Sequence, residues 1–136
     1  MGTDARKFVA DGYPAQNIIA CDLHKELLDF GHRLYNDAST SKIHFFAANA
    51  FDIPYPPPPL ESSTLRSIPN LSEVTNIGQM QGKATHLYAG FFFHMFSEEK
   101  QFDLALRFGS MVKHEPGAII YGRHIGAYDA HFIDAL

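Results

Sequence analysis

The chain has little of what marks several large protein classes. It holds one cysteine, Cys21, so no internal disulfide can form and nothing points to an oxidising compartment. Within an apolar run that thiol is expected to be small, buried and inert. Lysine and arginine are scattered, and a net charge of -4 carries no electrostatic footprint for nucleic acid or an anionic membrane. No apolar run approaches the roughly 18 residues of a membrane span. The opening "MGTDARKFVADG" lacks the basic and then apolar segments of a secretory signal, and Arg6 stands where a myristoylation signal wants Ser or Thr. The histidines show no HExxH and no Cys/His pairing, so no metal is expected. No nucleophile-elbow glycine pattern is present either. These absences make a cytoplasmic globular protein the expectation.

What is present suits one domain, over residues 1–136. Hydrophobic residues make up 46% and charged ones 19%, a globular rather than a disordered balance. Thr3 or Asp4 can cap a helix over about Asp4–Asp11, stopped by Gly12. Strands are predicted near Ile18–Asp22, Ile43–Asn49, Ala84–Phe91 and Ala118–His124. The first is read as too short and too apolar for a surface element. Between the first two strands a helix over Lys25–Tyr35 carries Leu27, Leu28, Gly31, Leu34 and Tyr35 at helical spacing, with Gly31 allowing close approach to a sheet. Ser97 with Glu98 and Glu99 opens a helix over Glu98–Val112, whose expected buried stripe is Phe102, Ala105, Leu106, Gly109 and Val112. From about residue 50 to 82 runs an irregular, proline-rich stretch that reads as a binding loop, a disordered insertion or a polyproline spacer. Alternating helices and strands indicate an α/β fold with a mostly parallel sheet.

In such sheets ligands lie beyond the carboxyl ends of the strands. A carboxylate ending a strand there can accept hydrogen bonds from both hydroxyls of a ribose. Asp22 ends the first strand, and Gly2 stands 20 positions ahead of it. That matches the spacing of about 20 between glycine turn and acid in dinucleotide folds. A single glycine is no motif, however, and an acid at a strand end serves equally as a helix cap.

Taken in order, "MGTDARKFVADGYPAQNIIACDL", "FFAANAFD" and "FFFHMFSEEKQFDLALRFGSMVKHEPGAIIYGRHIG" resemble a class I S-adenosylmethionine-dependent methyltransferase of the fungal secondary-metabolite type. The resemblance spans nearly the whole chain apart from the proline-rich loop and the last few residues. It implies a Rossmann-like fold, S-adenosylmethionine as cofactor, and O-methylation of a small molecule. By the resemblance Gly2 matches the last glycine of the cofactor loop, and Asp22, with Leu23 beside it, matches the ribose-binding acid. Asn49, Ala50 and Phe51 match the segment lining the adenine. Relatives usually carry Asp where Asn49 stands; its amide still offers an oxygen acceptor, without charge assistance. "GFFFHMF" matches the strand end facing the transferred methyl. His94 within it is either a base or substrate contact, or a structural histidine packed among Phe93, Met95 and Phe96.

The resemblance also implies elements on either side of this sequence: an earlier central strand with further glycines, covering helices, and a later helix and strand pair. The fold is accordingly expected to be incomplete at both ends, and the chain to be a truncated and inactive form. Two other functions compete. One is a non-catalytic remnant or interaction module of the same fold. The other is an NAD(P)-dependent reductase fragment, which would need a Tyr-x-x-x-Lys pair that this sequence lacks.

Overall fold

A helix, a strand, a helix and a strand, then a turn-rich segment, a strand, a helix and a last strand follow one another in the computed structural model, which describes residues 1–57 and 70–126. The helices are α1 (Thr3–Ala10), α2 (Lys25–Tyr35) and α3 (Glu98–Met111). The strands are β1 (Ile19–Asp22), β2 (His44–Ala47), β3 (His86–Tyr88) and β4 (Ile119–Tyr121).

All pairing between these strands is parallel. β1 pairs with β2 from Ile19↔His44 to Asp22↔Ala47, and β3 pairs with β4 from His86↔Ile119 to Tyr88↔Tyr121. With helices between parallel strands, the architecture is Rossmann-like α/β. The expected sheet is nevertheless divided: among the described residues, two separate two-stranded sheets take its place. Helix α1 connects them. Its Arg6 guanidinium lies 4.7 Å from the Phe45 ring of β2, while Phe8 meets Tyr88 of β3 and Tyr121 of β4 edge-on at 5.3 and 6.4 Å.

The core lies elsewhere than the apolar strands suggest. Ile53, Val74, Met80, Leu104, Phe108 and Met111 form one buried cluster, three of them from the stretch predicted to be loop or spacer. That stretch, where described, is therefore a structural wall built of 3-10 turns. Asn49, Asn70 and Asn76 cap those turns through their side chains, which satisfies backbone amides without regular helix. Arg107 of α3 donates to the carbonyls of Phe51 and Ile53, and buried Gln81 donates to Pro54 O at 2.7 Å and Ser110 Oγ at 3.0 Å. Residues 58–69 of the proline-rich loop lie outside the described residues.

Several local expectations are corrected. Helix α1 is preceded by Gly2 in the left-handed region (φ 71°), and neither Thr3 nor Asp4 caps it. Ser97 stands at the α3 N-cap without a side-chain cap bond; its carbonyl instead accepts from Gln101. Of the expected α3 stripe Val112, the residue after the helix, is buried, but Phe102 is 67% exposed, and the buried residues on the helix itself are Leu104, Phe108 and Met111. Both sets have helical spacing; the cluster with Ile53 and Val74 selects between them. On α2, Leu28 and Gly31 are buried but Leu27, Leu34 and Tyr35 are exposed. A Cβ on Gly31 would collide with the Met1 carbonyl, so its close approach is to the first residue rather than to a sheet. Strand β1 is only half-covered; Cys21 on it keeps exposed surface, while burial first and then the Asp22 carboxylate push its thiol up to about 12.

Candidate functional site

The carboxyl ends of the strands share one rim. Parallel register puts the ends of β1 and β2 side by side, and the Ala48 amide donates to the Asp22 carbonyl at 2.9 Å. Phe51, just beyond β2, meets Phe96, just beyond the turn after β3, edge-on at 5.4 Å. The start of α1 touches three of the four strand ends. The Met1 α-ammonium lies 3.5 Å from Asp22 Oδ2; Asp4 accepts from the Tyr88 hydroxyl and from Arg123, each at 3.2 Å.

On this rim stand the residues singled out from sequence. The Asp22 side chain is 27% exposed; Oδ1 accepts from the His24 amide at 3.1 Å, and among the described residues Oδ2 meets only the distant, solvated ammonium. That oxygen retains acceptor capacity. Asn49 Oδ1 accepts from the Phe51 amide at 3.0 Å, so the side chain already caps a turn, with one lone pair of that oxygen unused among the described residues. Leu23 is 60% exposed beside Asp22, whereas Ala50 and Phe51 pack partly on the core. Gly2 lies next to Asp22 through Met1, but a Cβ there would stand 2.5 Å from Phe45 Cε1. Its glycine identity is thus required by packing and by φ, whatever else binds there.

His94 sits in the turn Phe93–Met95 after β3. Its Nδ1 is buried and lacks a hydrogen-bond partner, the one such side-chain atom found among the described residues. The ring lies 6.3 Å from Phe91 and 5.5 Å from His124. His124 borders a cavity of about 360 Å³ walled by Phe93, Tyr121 and Ile120, with Arg123 and Gln101 as its other polar groups. A volume in this range accommodates a small organic molecule. Among the described residues no cluster of three or more His, Cys, Asp or Glu could hold a metal ion, and no helix is long and apolar enough to cross a membrane.

Sequence reasoning missed Asp4, Tyr88, Arg123 and His124. Asp4 was legible only as a helix cap, yet it joins α1 to both strands of the second sheet. Burial first, and then the hydrogen bond to the Asp4 carboxylate, push the Tyr88 hydroxyl above the usual tyrosine range. No local pattern could have paired residues 84 and 119 positions apart.

No family model matches the chain, and no solved structure does. Curated relatives do. An O-methyltransferase, phiE, of a fungal species (strain ATCC 74256) is 30% identical over 130 residues, which cover 96% of this chain and 37% of the relative. The asnovolin E/chermesin D methyltransferase nvfJ of Aspergillus novofumigatus is 29% identical over 96% of this chain and 40% of its own length. The O-methyltransferase atr3 of Stereocaulon alpinum is 30% identical over 91% of this chain and 30% of its own length. The chain thus spans two fifths or less of these relatives.

Proposed function

We propose that the chain shares the activity for which its fungal relatives are named, and that its rim binds S-adenosylmethionine and presents it to the hydroxyl or carboxyl oxygen of a small molecule. The observation that supports this most directly is the parallel register of β1 and β2, which sets Asp22 and the Asn49–Phe51 turn side by side. The free oxygen of Asp22 suits a ribose hydroxyl, with Leu23 against the sugar. Asn49 Oδ1 suits the amino group of adenine, with Ala50 and Phe51 along the base. Gly2 keeps the start of α1 close to the cofactor without a side chain in the way.

When bound, the cofactor supplies an electrophilic methyl. What the chain contributes is alignment, which can account for on the order of 7–11 kcal/mol of a displacement barrier. The apolar walls of the cavity, Phe93 and Tyr121, fit an aromatic or polycyclic acceptor. His94, with Nδ1 unpartnered, can take the proton of a phenol or alcohol, an effect of about 10²–10⁴-fold, whereas a carboxylate acceptor needs no base. An exposed, unpaired Cys21 suits a reducing compartment, and the proposal accordingly sets the reaction in the cytoplasm.

Calorimetric titration of the purified chain with S-adenosylmethionine and with its demethylated product tests the assignment. Saturable binding in the micromolar range is expected. Absence of heat up to millimolar cofactor, with the fold intact by circular dichroism, would overturn it. Label transfer from radioactive cofactor to a panel of phenols and carboxylic acids then decides between the inactive form expected from the sequence and a working transferase, and in the second case identifies the acceptor class.

A further inference from the structure

We propose that helix α2 is the contact surface of a homodimer, in which two copies of α2 pair antiparallel about a twofold axis. Helix α2 has two apolar stripes, and only one of them is used within the chain. Leu28 and Gly31 face inward and are buried. About 100° round the helix, Leu27, Phe30 and Leu34 recur at i, i+3 and i+7, and they are 40%, 48% and 57% exposed. This 3-4 alternation is that of a two-helix seam rather than of scattered surface leucines.

Charge selects the occupant and its direction. Glu26 and Arg33 both flank the exposed stripe on the same side, seven residues apart, which is one heptad. Among the described residues Arg33 makes no ion pair, and Glu26 meets only His24, at 3.3 Å. The Lys25–Asp29 pair lies on the far side of the helix, away from the stripe. If two copies run antiparallel, Leu27 of one faces Phe30 of the other, and Glu26 meets Arg33 of the second copy. The twofold repeats each contact. A parallel pair would instead oppose Glu26 to the buried Gly31 and leave both charges without a partner. The surface is therefore complementary to itself in one orientation, as an isologous interface requires. Its area, on the order of a few hundred Å² per copy, lies at the low end for specific interfaces, so a micromolar or weaker dimer is expected.

Sedimentation equilibrium of the full chain from 5 to 500 μM, at low and high salt, tests the pairing. A concentration-dependent dimer that weakens with salt is expected. Phe30→Glu should weaken association at least tenfold, and Arg33→Glu several-fold by setting two acids against each other. The double variant Glu26→Arg, Arg33→Glu should restore it, because the swapped charges again complement. All three positions are exposed, and circular dichroism verifies that each variant keeps its fold. A monomer throughout the range, a dimer indifferent to Phe30→Glu, or a charge swap without rescue would each overturn the proposal. A segment of a longer chain or an unrelated helix as the true occupant of this face predicts the first of these results.

Discussion

Arg6 of α1 and Asp37, two residues beyond α2, form a forked ion pair: Nε lies 2.6 Å from Oδ2 and Nη2 2.9 Å from Oδ1. The guanidinium also lies over the rings of Tyr35 and Phe45, at 4.6 and 4.7 Å, and donates to the carbonyls of Met1 and Gly2. One side chain thus holds the start of the chain, α2 and β2 together, and through them the rim at the ends of β1 and β2. Arg6→Ala should lower stability by about 2–3 kcal/mol, because a charge-assisted fork is lost and Asp37 is left partly buried. Arg6→Lys should recover only part of this, since an ammonium cannot fork or stack. Urea denaturation of the three proteins measures the difference.

The same pair gives stability a defined pH dependence. The hydrogen bond from Arg6, helped by His32 and opposed by burial, holds the Asp37 carboxyl down to about 2. The folded pKa lies below the unfolded value of about 3.9, so the contribution is complete above that value and lost as pH falls towards 2. It amounts to roughly 2 kcal/mol. Denaturation midpoints should fall over that window, and Asp37→Asn should flatten this part of the profile.

Gly2→Ala should destabilise by about 1–3 kcal/mol, because the residue combines φ of 71° with a Cβ site 2.5 Å from Phe45 Cε1. Gly12→Ala carries only the backbone strain of φ 100°, since nothing lies within 4 Å of its Cβ site. Thermal melts should place Gly2→Ala clearly below Gly12→Ala.

Leu104→Ala should cost about 2–5 kcal/mol, as truncation of a fully buried core leucine does. Phe102→Ala, two residues away and 67% exposed, should stay within about 0.5 kcal/mol. A comparable loss at both positions would mean that α3 presents a different face to the core.

At the rim, Asp22→Ala should weaken S-adenosylmethionine binding by about 1.5–3 kcal/mol through loss of a charged hydrogen bond, read by calorimetry. Unchanged affinity would remove Asp22 from the ribose role.

What the sequence by itself determined is local. Helical spacing over Lys25–Tyr35 and Glu98–Met111, apolar runs at the four strands, and an acid closing β1 were all legible, because each rests on neighbours within a few residues. Parallel pairing followed from the alternation of helices and strands. Tertiary structure decided which of two possible helical stripes is buried, since Leu104 and Phe102 differ only in what lies opposite them. It made a proline-rich stretch into a core wall through Ile53 and Val74. It divided the strands into two pairs and carried Asp4 to Tyr88 and Arg123. Those outcomes depend on contacts between residues far apart in the chain. Their energies come from area buried and charge paired across elements, which spacing along the sequence does not encode.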